Sequence, residues 1–277
     1  MGLSFPNKIS IEQTNACNYN CVMCPNSIIT VKKGFMDFDL HKKIIDECVE
    51  YKDDIDFIAL TGRGESLLHP KIFDIINYTT DKDFNQTRIS TNASLLNQDS
   101  IDKLLDTNLD LIIISVNASN PEGYEMVCPG QDFKIVEENI DYIIERMNKI
   151  KPKIFLRTTE IPGMKSELRL IKRKWKGKIS RIYSSVCYNW VGGIKMDYPL
   201  VHHPIPCKQA IYDEMRIMWN GNVVPCCWDY NEFMILGNVK ENIVNESWTS
   251  IEYMNFRKRH WRYDPPDICK KCGYYKV

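Results

Sequence analysis

The chain carries eleven cysteines in 277 residues, and seven of them stand in two groups: Cys17, Cys21 and Cys24 near one end, Cys207, Cys226, Cys269 and Cys272 near the other. Any fold must gather three thiols on one short loop and bring together four that are far apart in sequence. A disulfide framework would need an oxidising compartment, and no apolar secretory segment opens the chain. Metal is the better explanation for the grouping. Hydrophobic residues make up 44% of the chain, enough for a substantial core, and Lys plus Arg equal Asp plus Glu at 36 each. That balance leaves no field for a nucleic-acid partner, so the basic runs Lys172–Lys174 and Arg257–Arg259 read as solvated helix faces. No apolar run reaches the ~18–20 residues that span a bilayer. A soluble, cytoplasmic protein that binds neither nucleic acid nor membrane is expected.

Six segments read as buried strands: Lys8–Thr14, Phe57–Thr61, Thr87–Thr91, Leu111–Val116, Ile154–Thr158 and Ile179–Ser184. Between them lie stretches with helical periodicity, Phe38–Tyr51, Ile72–Thr80, Asp99–Leu105, Phe133–Ile150 and Leu168–Trp175. Asp39 and Asn97 or Asp99 stand as helix-start signals. Strand alternating with helix implies parallel strands joined by right-handed crossovers, and six units predict an open, partial (β/α)6 TIM-like barrel of the α/β class over residues 1–195. Functional groups of such sheets collect at the C-terminal strand ends. After about residue 195 the alternation stops, and prolines at 199, 204 and 206 mark a break. Residues 200–277 are expected to form a small Cys-rich domain stapled by metal, with a hairpin at Trp219-Asn220-Gly221-Asn222.

Cys17-Asn-Tyr-Asn-Cys21-Val-Met-Cys24 follows the first strand. Three thiolates on one loop can ligate three irons of a 4Fe–4S cube and leave the fourth open, whereas a structural zinc would ask for a fourth protein ligand nearby. This triad resembles the motif of the radical S-adenosylmethionine (SAM) superfamily, and the resemblance extends over residues 8–190. It implies that the open iron binds SAM, and that reductive cleavage yields a 5′-deoxyadenosyl radical which abstracts a substrate hydrogen atom. An external one-electron donor such as flavodoxin or ferredoxin is implied with it. Thr61-Gly62-Arg63-Gly64-Glu65 resembles the family's glycine–glutamate turn, in which a carboxylate holds the methionyl ammonium and glycines admit the ligand closely. Leu67-Leu68-His69-Pro70 and Ser90-Thr91-Asn92 are of the family type as well. By the same resemblance, Met23 stands where an aromatic residue usually leans on adenine, a role a thioether fills by packing. Ser115 and Asn117 fall at ribose-binding positions, and Arg157 is placed either to fork onto the SAM carboxylate or to form a structural salt bridge.

Cys207, the Val224-Pro225-Cys226-Cys227 segment and Cys269-Lys-Lys-Cys272 resemble a SPASM/twitch auxiliary-cluster domain in its four-cysteine form. The resemblance implies a second 4Fe–4S cluster held by Cys207, Cys226, Cys269 and Cys272; a zinc site with four thiolate ligands is the alternative. Adjacent residues of a strand face opposite ways, so only one of Cys226 and Cys227 is expected to ligate. Cys48 belongs to an apolar helix stripe and is read as core. Cys128 and Cys187 are inert or active-site thiols, and His202 and His203 surface groups of the linker.

The layout of the tail resembles that of superfamily members that oxidise the secondary alcohol of an aminocyclitol. Three readings of the substrate and reaction follow: dehydrogenation of a sugar- or cyclitol-like small molecule with the auxiliary cluster as electron acceptor, modification of a peptide, or a carbohydrate epimerisation in which Cys128 or Cys187 returns a hydrogen atom. The few residues before the first strand argue against a leader-peptide-binding domain at that end.

Overall fold

The computed structural model describes residues 5–147 and 151–276. Its first part runs β1 (Lys8–Ile11), α1 (Phe38–Val49), β2 (Phe57–Leu60), α2 (Ile72–Thr80), β3 (Thr87–Thr91), α3 (Gln98–Asp106), β4 (Leu111–Ser115), α4 (Pro121–Val127), α5 (Phe133–Arg146), β5 (Lys153–Glu160), α6 (Glu167–Trp175) and β6 (Arg181–Val186). Strands β1 to β6 pair in sequence order, every pair parallel. This is the open (β/α)6 arrangement read from the alternation. Helix α1 lays Leu40, His41, Ile44, Ile45 and Cys48 on the core, all at 3–4 spacing. Its N-cap is Asp37, not Asp39: the Asp37 carboxylate accepts the amides of Asp39 and Leu40. The helix expected over 133–150 ends at Arg146, and residues 148–150 lie outside the described ones. Helix α4 was not expected from the sequence. Pro121 occupies the first helical turn, where its missing N–H costs nothing, and Asn120 caps the Gly123 amide.

The tail contains β7 (Leu200–His202), β8 (Glu214–Ile217), β9 (Asn222–Val224), β10 (Gly237–Asn238), α7 (Val244–Trp248), α8 (Ile251–Trp261), α9 (Asp267–Lys270) and β11 (Gly273–Tyr275). Strand β8 pairs parallel with β1, from Lys8 opposite Glu214 to Ile11 opposite Ile217. The expected hairpin follows: β9 runs antiparallel to β8, and Gly221 takes φ +90°, a conformation in which only glycine is unstrained. A single nine-stranded sheet results, in the order β10-β9-β8-β1-β2-β3-β4-β5-β6, while β11 pairs with β7 apart from it. Of the run Arg257–Arg259, Lys258 and Arg259 are exposed but Arg257 is 0% exposed. It falls on the inward stripe of α8 with Tyr253, Phe256 and His260. Its guanidinium lies 4.1 Å from the Trp248 ring centre and 4.0 Å from that of Tyr253, and donates to the carbonyls of Trp248 and Ile211.

Candidate active site and auxiliary thiol cavity

The loop after β1 is fixed by its own polar side chains. Thr14 Oγ1 donates to the Gly34 carbonyl at 2.7 Å, and Asn15 Oδ1 accepts the Gly34 amide at 2.8 Å. Asn26 Nδ2 donates to the carbonyls of Asn15 and Arg63. Within the loop the Cys24 amide donates to the Cys21 carbonyl at 2.9 Å, and the Val22 amide donates to the Val127 carbonyl, tying the loop to the end of α4.

The turn after β2 packs directly on that loop. A Cβ at Gly62 would stand 2.3 Å from Glu12 Cγ, and one at Gly64 2.2 Å from the Ala16 carbonyl oxygen. The glycines therefore answer a demand of the chain itself: no larger residue lets β1 and β2 end this close together. Glu65 donates its amide to the Ala16 carbonyl at 2.9 Å. Its carboxylate is buried and accepts the amides of Asn92 at 2.7 Å and Leu67 at 3.1 Å. Burial raises the Glu65 pKa, and the two amides counter the shift only in part. A cation brought next to it would act against that rise.

Between the two glycines, Arg63 forms a network that the motif alone did not reveal. Its side chain is 5% exposed, those of Glu12 and Glu232 0% and 3%. Nε and Nη2 fork onto the two oxygens of Glu12 at 2.7 and 2.6 Å, Nη2 also reaches Glu232 at 2.8 Å, and Nη1 donates to the Tyr230 carbonyl. The second oxygen of Glu232 accepts from the side chains of Asn220 and Asn222 at 2.9 and 2.7 Å. The ends of β1 and β2 and the β8–β9 hairpin thus share one buried ion-pair cluster.

Cys17, Cys21 and Cys24 open on a cavity of about 240 Å³ together with Met23, Gly62, Gly64 and Glu65. Asn92 from the end of β3, Ser115 and Asn117 from β4, and Arg157 from β5 complete its far wall. Every residue proposed from sequence for the SAM site faces this space. Arg157 stands opposite Ser115 in the β4–β5 register and donates to its Oγ at 3.1 Å; no carboxylate pairs with it among the described residues. Asn117 Oδ1 accepts the Thr159 amide, and Asn92 Nδ2 donates to Asn18 Oδ1. The Met23 carbonyl accepts the Trp190 indole N–H at 2.8 Å. The tail adds Arg216, Met218 and Cys227 to the lining, residues outside the sequence-based set. On β8, Met215 and Ile217 are buried while Glu214 and Arg216 pair at 2.7 Å. The period-2 pattern Glu-Met-Arg-Ile was the available signal, but nothing in sequence said that this strand would lie beside β1.

Neither Cys128 nor Cys187 lines this cavity. Cys128 Sγ is 3.2 Å from Cys21 Sγ, and that contact, with burial, pushes the Cys21 thiol far up. Cys187 Sγ packs on Met196 Sδ at 3.6 Å. Cys48 is core, as expected.

Cys207, Cys226, Cys269 and Cys272 converge on a second cavity, with His203, Trp228 and His260 in its walls. Cys226 faces this cavity and Cys227 the first, but both lie in the turn past the end of β9, so the alternation of a strand expected from sequence is not what separates them. Burial pushes the thiols of Cys269 and Cys272 up to about 12. His202 is exposed as expected, but His203 is half-buried and stacks on Tyr188 and Trp228, and its Nε2 has no partner. Among the described residues no three side chains converge on a point where a single ion would sit. Zinc needs its four sulfurs at about 2.3 Å from one centre. Sulfurs spread around a space walled by the imidazoles of His203 and His260, whose Nε2 atoms have no protein partner, suit the larger iron–sulfur cube, whose sulfides accept hydrogen bonds.

Comparison with known proteins gives a family for each part of the chain. The Radical SAM superfamily profile matches residues 11–168, more than half of the chain, and the profile of the SPASM iron–sulfur cluster-binding domain matches residues 207–273. A tungsten-containing aldehyde ferredoxin oxidoreductase cofactor-modifying protein of Pyrococcus furiosus is 25% identical over 89% of this chain and 82% of its own length. The S-adenosyl-L-methionine-dependent 2-deoxy-scyllo-inosamine dehydrogenase of Niallia circulans is 24% identical over 97% of this chain and 93% of its own. Among solved structures, BtrN in complex with AdoMet and 2-DOIA covers 98% of this chain and 94% of its own at a TM-score of 0.70 and 20% identity. Streptococcus suis SuiB bound to precursor peptide SuiA covers 92% and 67% at a TM-score of 0.76 and 15% identity. The chain belongs to the radical SAM superfamily: an enzyme that uses SAM and a 4Fe–4S cluster, with a C-terminal SPASM domain for a second cluster.

Proposed function

We propose that this enzyme oxidises a carbon–hydrogen bond beside a hydroxyl on a small polar molecule of sugar or cyclitol type, with electrons for SAM cleavage delivered by a flavodoxin- or ferredoxin-like donor. When bound, the SAM-loaded cluster supplies the hydrogen-abstracting radical and the auxiliary cluster a sink for the second electron. The observation that carries the reading is the step at Cys226–Cys227, where the wall of the reaction cavity is one peptide unit from a thiol of the second cavity. Around the reaction cavity, Arg157 and Arg216 offer guanidinium groups from β5 and β8, and Ser90, Asn117 and Thr159 offer short polar groups. This lining suits a hydroxyl-rich substrate. The similarity to the inosamine dehydrogenase over nearly the whole chain supports the same reading.

A second reading is redox-neutral epimerisation, and Cys227 favours it, because this thiol rather than Cys128 or Cys187 lies in the reaction cavity. Substrate deuterated at the reacting carbon separates the two. For oxidation, deuterium is expected in 5′-deoxyadenosine, with one ketone formed per SAM consumed and the oxidation retained in Cys227→Ser. Solvent deuterium at the reacting carbon of an unoxidised product, lost in Cys227→Ser, would establish epimerisation; modification of a peptide would defeat both.

The neighbouring cysteines are expected to differ in iron binding. In a chain whose Cys17, Cys21 and Cys24 are all alanine, about four irons should remain per chain. Cys226→Ala should remove most of them and Cys227→Ala few. Equal losses, or zinc in their place, would reject the ligand assignment.

A further inference from the structure

His260 sits on the last turn of α8 with 0% exposure. Its Nδ1 accepts the Cys207 backbone amide at 3.4 Å, and its Nε2 has no partner in the protein. The same side chain lines the cavity of Cys207, Cys226, Cys269 and Cys272. An imidazole that accepts through Nδ1 carries its proton on Nε2, so a buried N–H is left undirected unless something in that cavity receives it. Leaving such a donor unsatisfied costs on the order of 1–3 kcal/mol, and native proteins seldom do so. The cavity presents sulfur to it. We propose that the His260 Nε2–H donates a hydrogen bond to a sulfur of the auxiliary cluster and raises that cluster's reduction potential.

The physics is that of any donor aimed at a cluster sulfur. Reduction adds negative charge to the cube, and an N–H directed at a sulfur stabilises the more negative state. The Cys207 amide holds the ring in the tautomer that donates, and Cys207 is itself one of the four thiols, so ring and cluster keep a common anchor. His260 acts on the cluster and touches no substrate; it is a positioning residue. Because Nδ1 is committed to the amide and Nε2 keeps its proton, His260 is a donor and not a fifth ligand. The role extends the oxidation reading, since a higher potential makes the cluster a better acceptor of the substrate's second electron, and it rests on a cluster being bound in this cavity.

The test uses the full chain with Cys17, Cys21 and Cys24 replaced by alanine, so that the auxiliary cluster alone is observed. Redox titration followed by electron paramagnetic resonance compares His260 with His260→Met, which has no donor, and His260→Gln, whose amide N–H can stand near the position of Nε2. His260→Met is expected to weaken reduction about tenfold, equivalent to ~59 mV for one electron, while His260→Gln keeps most of the parent potential. An unchanged potential in His260→Met overturns the proposal. Because a substitution in the core can cost the cluster itself, the parent side chain is also read directly. The reduced cluster should couple weakly to a histidine nitrogen and to one exchangeable proton. Absence of that proton, or a nitrogen coupling as strong as direct ligation, overturns the proposal too. Iron analysis keeps the two claims apart: no iron in the parent chain rejects the auxiliary cluster, whereas bound iron with an indifferent potential rejects only the role of His260.

Discussion

Release of 5′-deoxyadenosine is expected to fall to background when Cys21 is replaced by alanine, under conditions in which the parent protein is loaded with iron and sulfide, reduced and given SAM. The loop itself should survive the change, because the bonds that shape it come from the side chains of Thr14, Asn15 and Asn26 and from backbone, the Val22 amide on the Val127 carbonyl and the Cys24 amide on the Cys21 carbonyl, and none needs the Cys21 thiol. What is lost is one of three iron ligands. Cys128 complicates the experiment in a useful way, since its sulfur lies 3.2 Å from that of Cys21 and is close enough to replace it as a ligand. The decisive protein is therefore the Cys21→Ala, Cys128→Ala pair. Release that persists there would remove the triad from the chemistry. Release that persists only while Cys128 is present would identify a substitute ligand.

Arg63→Met is expected to be the most destabilising single change at the site. The side chain of methionine replaces the aliphatic stem of arginine but not its guanidinium, and leaves Glu12 and Glu232 buried without their cation. Removing one partner from a buried ion pair costs about 3–5 kcal/mol, because the remaining charge stays out of water. For a chain of this size that corresponds to a fall in Tm of roughly 10 °C. Cluster-free protein should be compared with cluster-free parent by calorimetry, so that cofactor loss does not enter. A pair of Glu12→Gln and Arg63→Met should recover part of the loss, since one orphaned charge is then gone. A single change below about 1 kcal/mol, the level of a surface pair, would contradict the burial of this network.

Local pattern made the six-strand alternation and both sets of facing residues legible. The apolar runs of β2 to β4 and the 3–4 stripes of α1 and α2 carry their own geometry, and the strand-end rule then gathers Glu65, Asn92 and Asn117, while their roles and that of Arg157 came from the family resemblance. What could not be read depends on partners far apart in sequence. Nothing in the Thr61–Glu65 turn marks Arg63 out, yet its two carboxylates come from just past β1 and from beyond the β8–β9 hairpin. Arg257 belonged to a basic run, and only the direction of α8 turned it inward. Cys128 could be read as inert or as an active-site thiol, and only the end of α4 brings it to Cys21. Glycines 62 and 64 were read as room for a ligand, and the structure finds the chain's own backbone and Glu12 in that room.

The parallel pairing of β8 with β1 bears on how this enzyme is made. A ribosome delivers Lys8–Ile11 early and Glu214–Ile217 late, so β1 waits with one row of amides and carbonyls unmatched while the rest of the barrel assembles. Unmatched strand edges invite pairing with other chains, and closure between such distant segments is slow. A nascent chain arrested before β8 should therefore be sticky and in need of a chaperone, and release of the finished chain should coincide with loss of that stickiness. Production at low temperature, where synthesis slows and apolar association weakens, favours that closure over aggregation.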